Sequence, residues 1–348
     1  MKKFNQRTIS ILLPFLLIVV GINYKIDPGN LFSNDFENSV SQAILSNKNV
    51  TNIYNYDERK LQKAIIAKID YCPEIAVIGS SRTMLIKSLY FPNKTFFNNS
   101  VSGASIEDLI AIFKLYENKN CVPKTIILGL DPWTLNKNNE QTRWSSLTKE
   151  YNMFLKEVGR KPLAENNNNY FELLSPSYFQ SALKMMRSKK GKPIITESPV
   201  NKEFTKRSDG SISYDEAYRN ASEVEINRKT EKYINGEIYS IENFDTLSKE
   251  NIYLLEKFIS KMKSKNVEVI FFLAPYHPLA YKFIASQPKY AKVIESEKYY
   301  ISLAKKNNIK VVASFNPDLI NASKNMFYDG MHSNEEGIAR WFNYNQQK

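Results

Sequence analysis

The 348-residue chain is long enough to bury one large core, or one core carrying a sizeable insertion. Hydrophobic residues make up 43% of it and aromatic residues 13%, which excludes a low-complexity chain. The net charge of +12 favours anionic surroundings. Its basic residues are nevertheless scattered, without zinc-finger spacing or a basic helix, so nucleic acid is not an expected partner.

Behind Lys2, Lys3 and Arg7 runs the uncharged stretch TISILLPFLLIVVGINY, residues 8–24. As a helix it would measure about 25 Å, short but enough for a thinned bilayer. Basic residues before it, with Asp27, Asp35 and Glu37 after it, would put the N-terminus inside and the body outside. The expectation is an N-terminal transmembrane helix over 1–24, single-pass in the cell membrane, with the globular part extracytoplasmic; a cleaved leader is the rival. Residues 25–70 read as a juxtamembrane segment closing on a helix from about Asp57 to Lys68.

Residues 71–348 read as an α/β domain. Short apolar runs bounded by turn residues predict strands at Ile75–Ile78, Thr95–Asn98, Thr125–Leu130, Val267–Ala274 and Lys310–Ala313. Helical patterns lie between them. SIEDLIAIFKLYEN opens on Ser105 with Asp108 placed as a capping box, and a second helix starts at Ser248. An amphipathic run from Tyr290 to Lys306 precedes the last strand, and NEEGIARWFNY closes the chain as a helix. This alternation implies a doubly wound parallel sheet of flavodoxin-like type. Residues 136–246 interrupt it with a polar, Asn-rich insertion, in the usual place for a lid, with a helix near Tyr178 to Arg187 and a hairpin at Asp209-Gly210.

Cys72 and Cys121 stand at similar offsets before the first and third strands. If those strands are parallel neighbours, the thiols share one sheet edge and are a disulfide candidate in an oxidising compartment.

In doubly wound sheets, ligands sit outside the carboxyl ends of the strands. The loops there carry Ser80, Ser81 and Arg82; NNSVSGAS with Gly103; GLDPW with Asp131; APYHP with His277; and YDGMHSN with Asp329 and His332. Only 2 His occur in the chain, and both fall on this rim. A hydroxyl needs an imidazole to take its proton and a carboxylate to hold that imidazole's tautomer, so Asp329-x-x-His332 with Ser81 reads as a triad. Arg82 and His277 are candidate substrate-binding residues. Few soft or imidazole ligands are present, so no metal site and no cofactor are expected.

GSSR at 79–82, NNSVSGAS at 98–105, GLDPW at 129–133 and DGMH at 329–332 resemble four conserved blocks of the SGNH, or GDSL-type, hydrolase superfamily. They also resemble its membrane-anchored branch near D-alanyl teichoic-acid transfer and polysaccharide O-acetylation proteins. The likeness covers 70–135 and 265–345 and not the insertion. It implies Ser81 as nucleophile, His332 as base, Asp329 as its orienter, and the backbone N–H groups of Ser81 and Gly103 as oxyanion donors. The expected activity is that of a serine esterase or O-acyltransferase working through an acyl-enzyme on a cell-surface glycan or acyl-bearing polymer, with an integral-membrane acyltransferase as a partner. A catalytically degenerate domain that binds polymer or scaffolds a membrane complex is the alternative. The third block departs from the pattern. Where the family has an oxyanion-hole Asn, Asp131 stands, and an ionised carboxylate cannot donate. It must turn away, stay protonated, or pair with a cation such as Arg82.

Overall fold

The computed structural model describes residues 2–28, 32, 35–54, 56–164, 169–187 and 193–344, with backbone alone at 2–9, 11, 169, 343 and 344. Its strands are β1 (Asn49–Thr51), β2 (Ile75–Ile78), β3 (Phe96–Asn98), β4 (Thr125–Gly129), β5 (Ile194–Thr196), β6 (Thr205–Lys206), β7 (Ile212–Ser213), β8 (Glu268–Phe272) and β9 (Lys310–Val312).

Five of them form a wholly parallel sheet in the order β3-β2-β4-β8-β9. These are the strands expected from the apolar runs, trimmed by up to two residues at their ends. Such runs are continuous because a parallel strand is buried on both faces. Within them, alternate residues part to opposite sides. Ile75, Val77 and Ile127 pack with Ile338 and Phe342 of the last helix, Glu335–Tyr344. Ala76, Ile78, Ile126 and Leu128 pack on the other side, against helices Ile106–Asn118 and Lys249–Ser264. The first of these helices starts on the expected capping box, in which Ser105 and Asp108 exchange bonds. The second is capped by Ser248. In sequence order the sheet reverses direction between β2 and β4, and a crevice opens at the carboxyl ends of such a pair.

A second, antiparallel sheet runs β5-β1-β6-β7. It joins residues 49–51, which the sequence places in the juxtamembrane segment, to three strands of the insertion. The β6–β7 hairpin turns at Asp209-Gly210 as expected, with Gly210 at φ +80°. The insertion helix Pro176–Arg187 also lies where its pattern put it. Cys72 and Cys121 are bonded, their Cα atoms 5.3 Å apart, at the amino ends of β2 and β4.

The expected transmembrane helix is corrected. Residues Lys2–Ile26 do form a helix, but among the described residues no helix is long and apolar enough to cross a membrane. The C-terminal end of Lys2–Ile26 is polar and engaged with the insertion. Asn23 is buried and donates to the Leu173 carbonyl at 2.9 Å, and the Tyr178 hydroxyl donates to Asp27 at 2.6 Å. The side chains of Lys2, Lys3 and Arg7, on which the orientation argument rested, lie outside the described residues.

Candidate active site

β2 ends at Ile78 and Gly79 delivers the chain into a single tight turn, Ser81–Thr83. The Ser80 side chain accepts from the Arg82 N–H at 3.2 Å, and the Thr83 hydroxyl donates to the Ser80 carbonyl at 2.7 Å. Gly79 is required by space here. A Cβ on it would lie 2.6 Å from Thr83 Oγ1 and 3.1 Å from the Cα of Gly129, where β2 and β4 part. Asn98, at the end of β3, donates to the carbonyls of Thr83 and Ile86 at 2.9 and 2.8 Å and so pins the far side of the turn. Backbone packing therefore fixes where Ser81 stands.

Across the crevice, the loop before the last helix brings up its partner. Ser81 Oγ lies 2.9 Å from His332 Nε2, although 251 positions separate the two residues. His332 Nδ1 lies 2.9 Å from Asp329 Oδ2. Asp329 Oδ1 accepts the backbone N–H groups of Met331 and His332, each at 2.8 Å, so its own turn holds the carboxylate still. The Tyr218 hydroxyl also donates to Oδ2. Burial by itself would raise the Asp329 carboxyl. The facing His332 imidazole, the Tyr218 hydroxyl and the Met331 amide outweigh it and hold the group well below the usual carboxylate range. With Asp329 ionised, Nδ1–H is the donor to it, and Nε2 is left to accept the Ser81 O–H.

Ser81, Gly103, Asp329 and His332 line one cleft of about 920 Å³. Gly103 has φ +55°, a left-handed conformation that favours glycine, and a Cβ there would displace the ends of the Tyr239 and Arg143 side chains. The loop beside it is clamped from helix Glu58–Lys68. Glu58 accepts both the backbone N–H and the hydroxyl of Ser102, and Arg59 forks onto Asp108 at 2.9 and 2.8 Å while also donating to the Ser102 carbonyl. A second cleft, of about 900 Å³ and faced by Tyr54, Tyr56 and Tyr178, meets the first at Ser102 and Arg143.

Two candidate residues stand elsewhere. Arg82, read from the sequence as substrate-binding, is buried and faces away from the cleft. It donates to Asp131 at 2.9 Å, to the Met331 carbonyl at 3.1 Å and to the Ala274 carbonyl, and its guanidinium lies 4.3 Å from the centre of the Tyr276 ring. That pairing resolves the three options open to Asp131. Burial pushes its carboxyl up, Arg82 opposes the rise, and the side chain is directed at the guanidinium instead of the oxyanion position. His277 is buried as the N-cap of helix Pro278–Ser286, its Nδ1 accepting the Leu279 N–H at 3.2 Å. Burial, reinforced by Lys324, lowers its pKa to about 4, so it is a neutral cap outside the cleft and not a substrate ligand. Pro278 at the first helical position was the available signal for this role.

Sequence reasoning missed the insertion's share. Tyr218 reaches Asp329 from helix Glu216–Arg219, and helix Glu223–Asn235 lays Lys229, Lys232 and Tyr233 along the cleft. Tyrosines and lysines in a polar, Asn-rich text carry no positional signal. Among the described residues no group of three or more His, Cys, Asp or Glu side chains is placed to hold a metal ion. No protein-family model matches the chain, and no curated protein matches it.

Proposed function

We propose that the protein is a serine esterase or O-acyltransferase that moves an acyl group to or from a glycan or related polymer through an acyl-enzyme. The observation that carries this reading is the pair of 2.9 Å contacts joining Ser81 Oγ to His332 Nε2 and His332 Nδ1 to Asp329. As Ser81 Oγ bonds to the acyl carbon, its proton passes to His332 Nε2, and Asp329 stabilises the imidazolium. The tetrahedral oxyanion is held by the backbone N–H groups of Ser81 and Gly103. Its collapse breaks the bond to the leaving alcohol, which takes the proton back from His332. Water or a sugar hydroxyl then repeats the sequence in reverse, giving hydrolysis or transfer.

The likeness of the four loop motifs to SGNH hydrolases supports the same reading. The two clefts meeting at Ser102 and Arg143 suit an acceptor longer than a small ester. The disulfide between Cys72 and Cys121 supports a place outside the reducing cytosol, where an acyl donor would be handed over by a membrane-bound acyltransferase.

Asp131 favours the second reading, a domain that binds polymer without turning it over. Held by Arg82, it leaves the oxyanion one side-chain donor short, a deficit of about 2.7–4 kcal/mol in the barrier. One experiment separates the two. A fluorophosphonate probe labels the wild-type protein on Ser81, and Ser81→Ala abolishes labelling with the melting temperature unchanged. An unlabelled wild-type protein would leave the binding reading standing.

A further inference from the structure

We infer that Tyr218, brought in by the insertion, is a positioning residue that sets the basicity of His332 by sharing the Asp329 Oδ2 atom with it. The inference rests on the Ser81–His332 reading for its catalytic meaning, though not for the physical effect. The geometry is specific. Oδ1 of Asp329 is already taken by the backbone N–H groups of Met331 and His332, so Oδ2 alone faces outward. Two donors converge on it, His332 Nδ1–H at 2.9 Å and the Tyr218 hydroxyl.

A carboxylate oxygen that accepts a second strong hydrogen bond has less negative charge to offer the first donor. The imidazolium is therefore less stabilised than it would be by Asp329 alone. The phenol serves as a donor at any ordinary pH, because burial and the adjoining carboxylate push its ionisation far up. Packing holds it in place. Tyr214 and Tyr328 stand against its ring with centroids 4.8 and 5.2 Å away, and the Lys229 ammonium lies 4.5 Å from the ring centre.

The other groups that face this cluster stay constant when the hydroxyl alone is removed. The Tyr214 ring centre lies 6.2 Å from that of His332, Tyr233 and His277 interact electrostatically with Asp329, and Asp131, paired with Arg82, does so with His332. Lys232 lies further along the cleft wall.

The test is the rate of Ser81 labelling by a fluorophosphonate probe from about pH 5 to about pH 9 in wild type and Tyr218→Phe, a window that brackets an imidazole titration. The expected result is a midpoint raised by roughly one unit, with the plateau at high pH little changed. Tyr214→Phe, which removes a neighbouring hydroxyl that does not reach Asp329, leaves the midpoint where it was. A lowered plateau or melting temperature with an unmoved midpoint would show that Tyr218 only packs, and would overturn the inference. Should Tyr218→Phe fail to fold, site-specific 3-fluorotyrosine at position 218 supplies a stronger donor and is expected to move the midpoint down; no movement overturns the inference. NMR titration of the His332 ring reads the same shift without any turnover. An unlabelled protein whose His332 still titrates higher in Tyr218→Phe would refute the enzymatic reading and leave this one intact.

Discussion

The five-stranded sheet and the insertion both reach the reacting groups, and they do so by different means. On the sheet side, position is set by main chain. Gly79 and Gly129 both pack against Thr83, which a Cβ on either would strike, Asn98 pins the turn through two carbonyls, and Asp329 is held by amides of its own loop. On the insertion side, Tyr218, Lys229, Tyr233 and Tyr239 come in on long side chains from helices Glu216–Arg219 and Glu223–Asn235 and the turn that follows them. The difference teaches a division of labour. Rigid strand ends decide which atoms meet, and the insertion adjusts how those atoms behave and what can lie beside them.

The division can be broken where the sheet-side loops carry the chemistry. Asp329→Asn keeps the shape of the turn but removes the charge that selects the Nδ1–H tautomer, and labelling of Ser81 is expected to slow about 10⁴-fold with little change in melting temperature. A loss no larger than that of Tyr218→Phe would erase the distinction between the two sides. Beneath the site, Arg82→Ala strands Asp131 as an uncompensated buried charge and is expected to cost about 3–5 kcal/mol in chemical unfolding. Adding Asp131→Asn in the same chain should recover much of that. Were Arg82 a substrate ligand instead, stability would hold and the Michaelis constant alone would rise.

The smallest effect sharpens the contrast between the two histidines. The folded chain holds His277 at a pKa of about 4 against an ordinary value of 6.5, so between those limits only the unfolded chain takes up the proton. Stability therefore falls as pH drops through that window and levels off below it, by roughly 3 kcal/mol in all. His277→Gln should flatten this slope in urea titrations at a series of pH values and leave the labelling rate of Ser81 unaltered. A change in rate would return His277 to the cleft.

The sheet could be read from the sequence because strands buried on both faces leave uninterrupted Ile, Val and Leu between turn residues, as in Ile75–Ile78 and Thr125–Gly129. The meeting of Ser81 with His332 was legible for a related reason, since parallel strands put all their following loops on one rim. Asp131 shows where that logic stops. Its side chain lies on the right rim, but whether it points at ligand or at Arg82 depends on packing that no local pattern encodes. The small antiparallel sheet was invisible because strands of two or three residues have no period to detect, and β1 finds its partners 143 to 156 positions away. The expectation of a membrane-spanning helix over 1–24 failed differently. Residues 8–24 carry no charge, but among the described residues their helix is not long and apolar enough to cross a membrane, and its Asn23 donates to the Leu173 carbonyl of the insertion.

The bond between Cys72 and Cys121 ties β2 to β4 at the end of the strands remote from Ser81. Thiol–disulfide exchange would thus act as a timer on how long the molecule survives, slackening the pair of strands at their starting edge. The nucleophile and its base, mounted on the opposite rim, would go on reacting at an unaltered pace for as long as the fold endures.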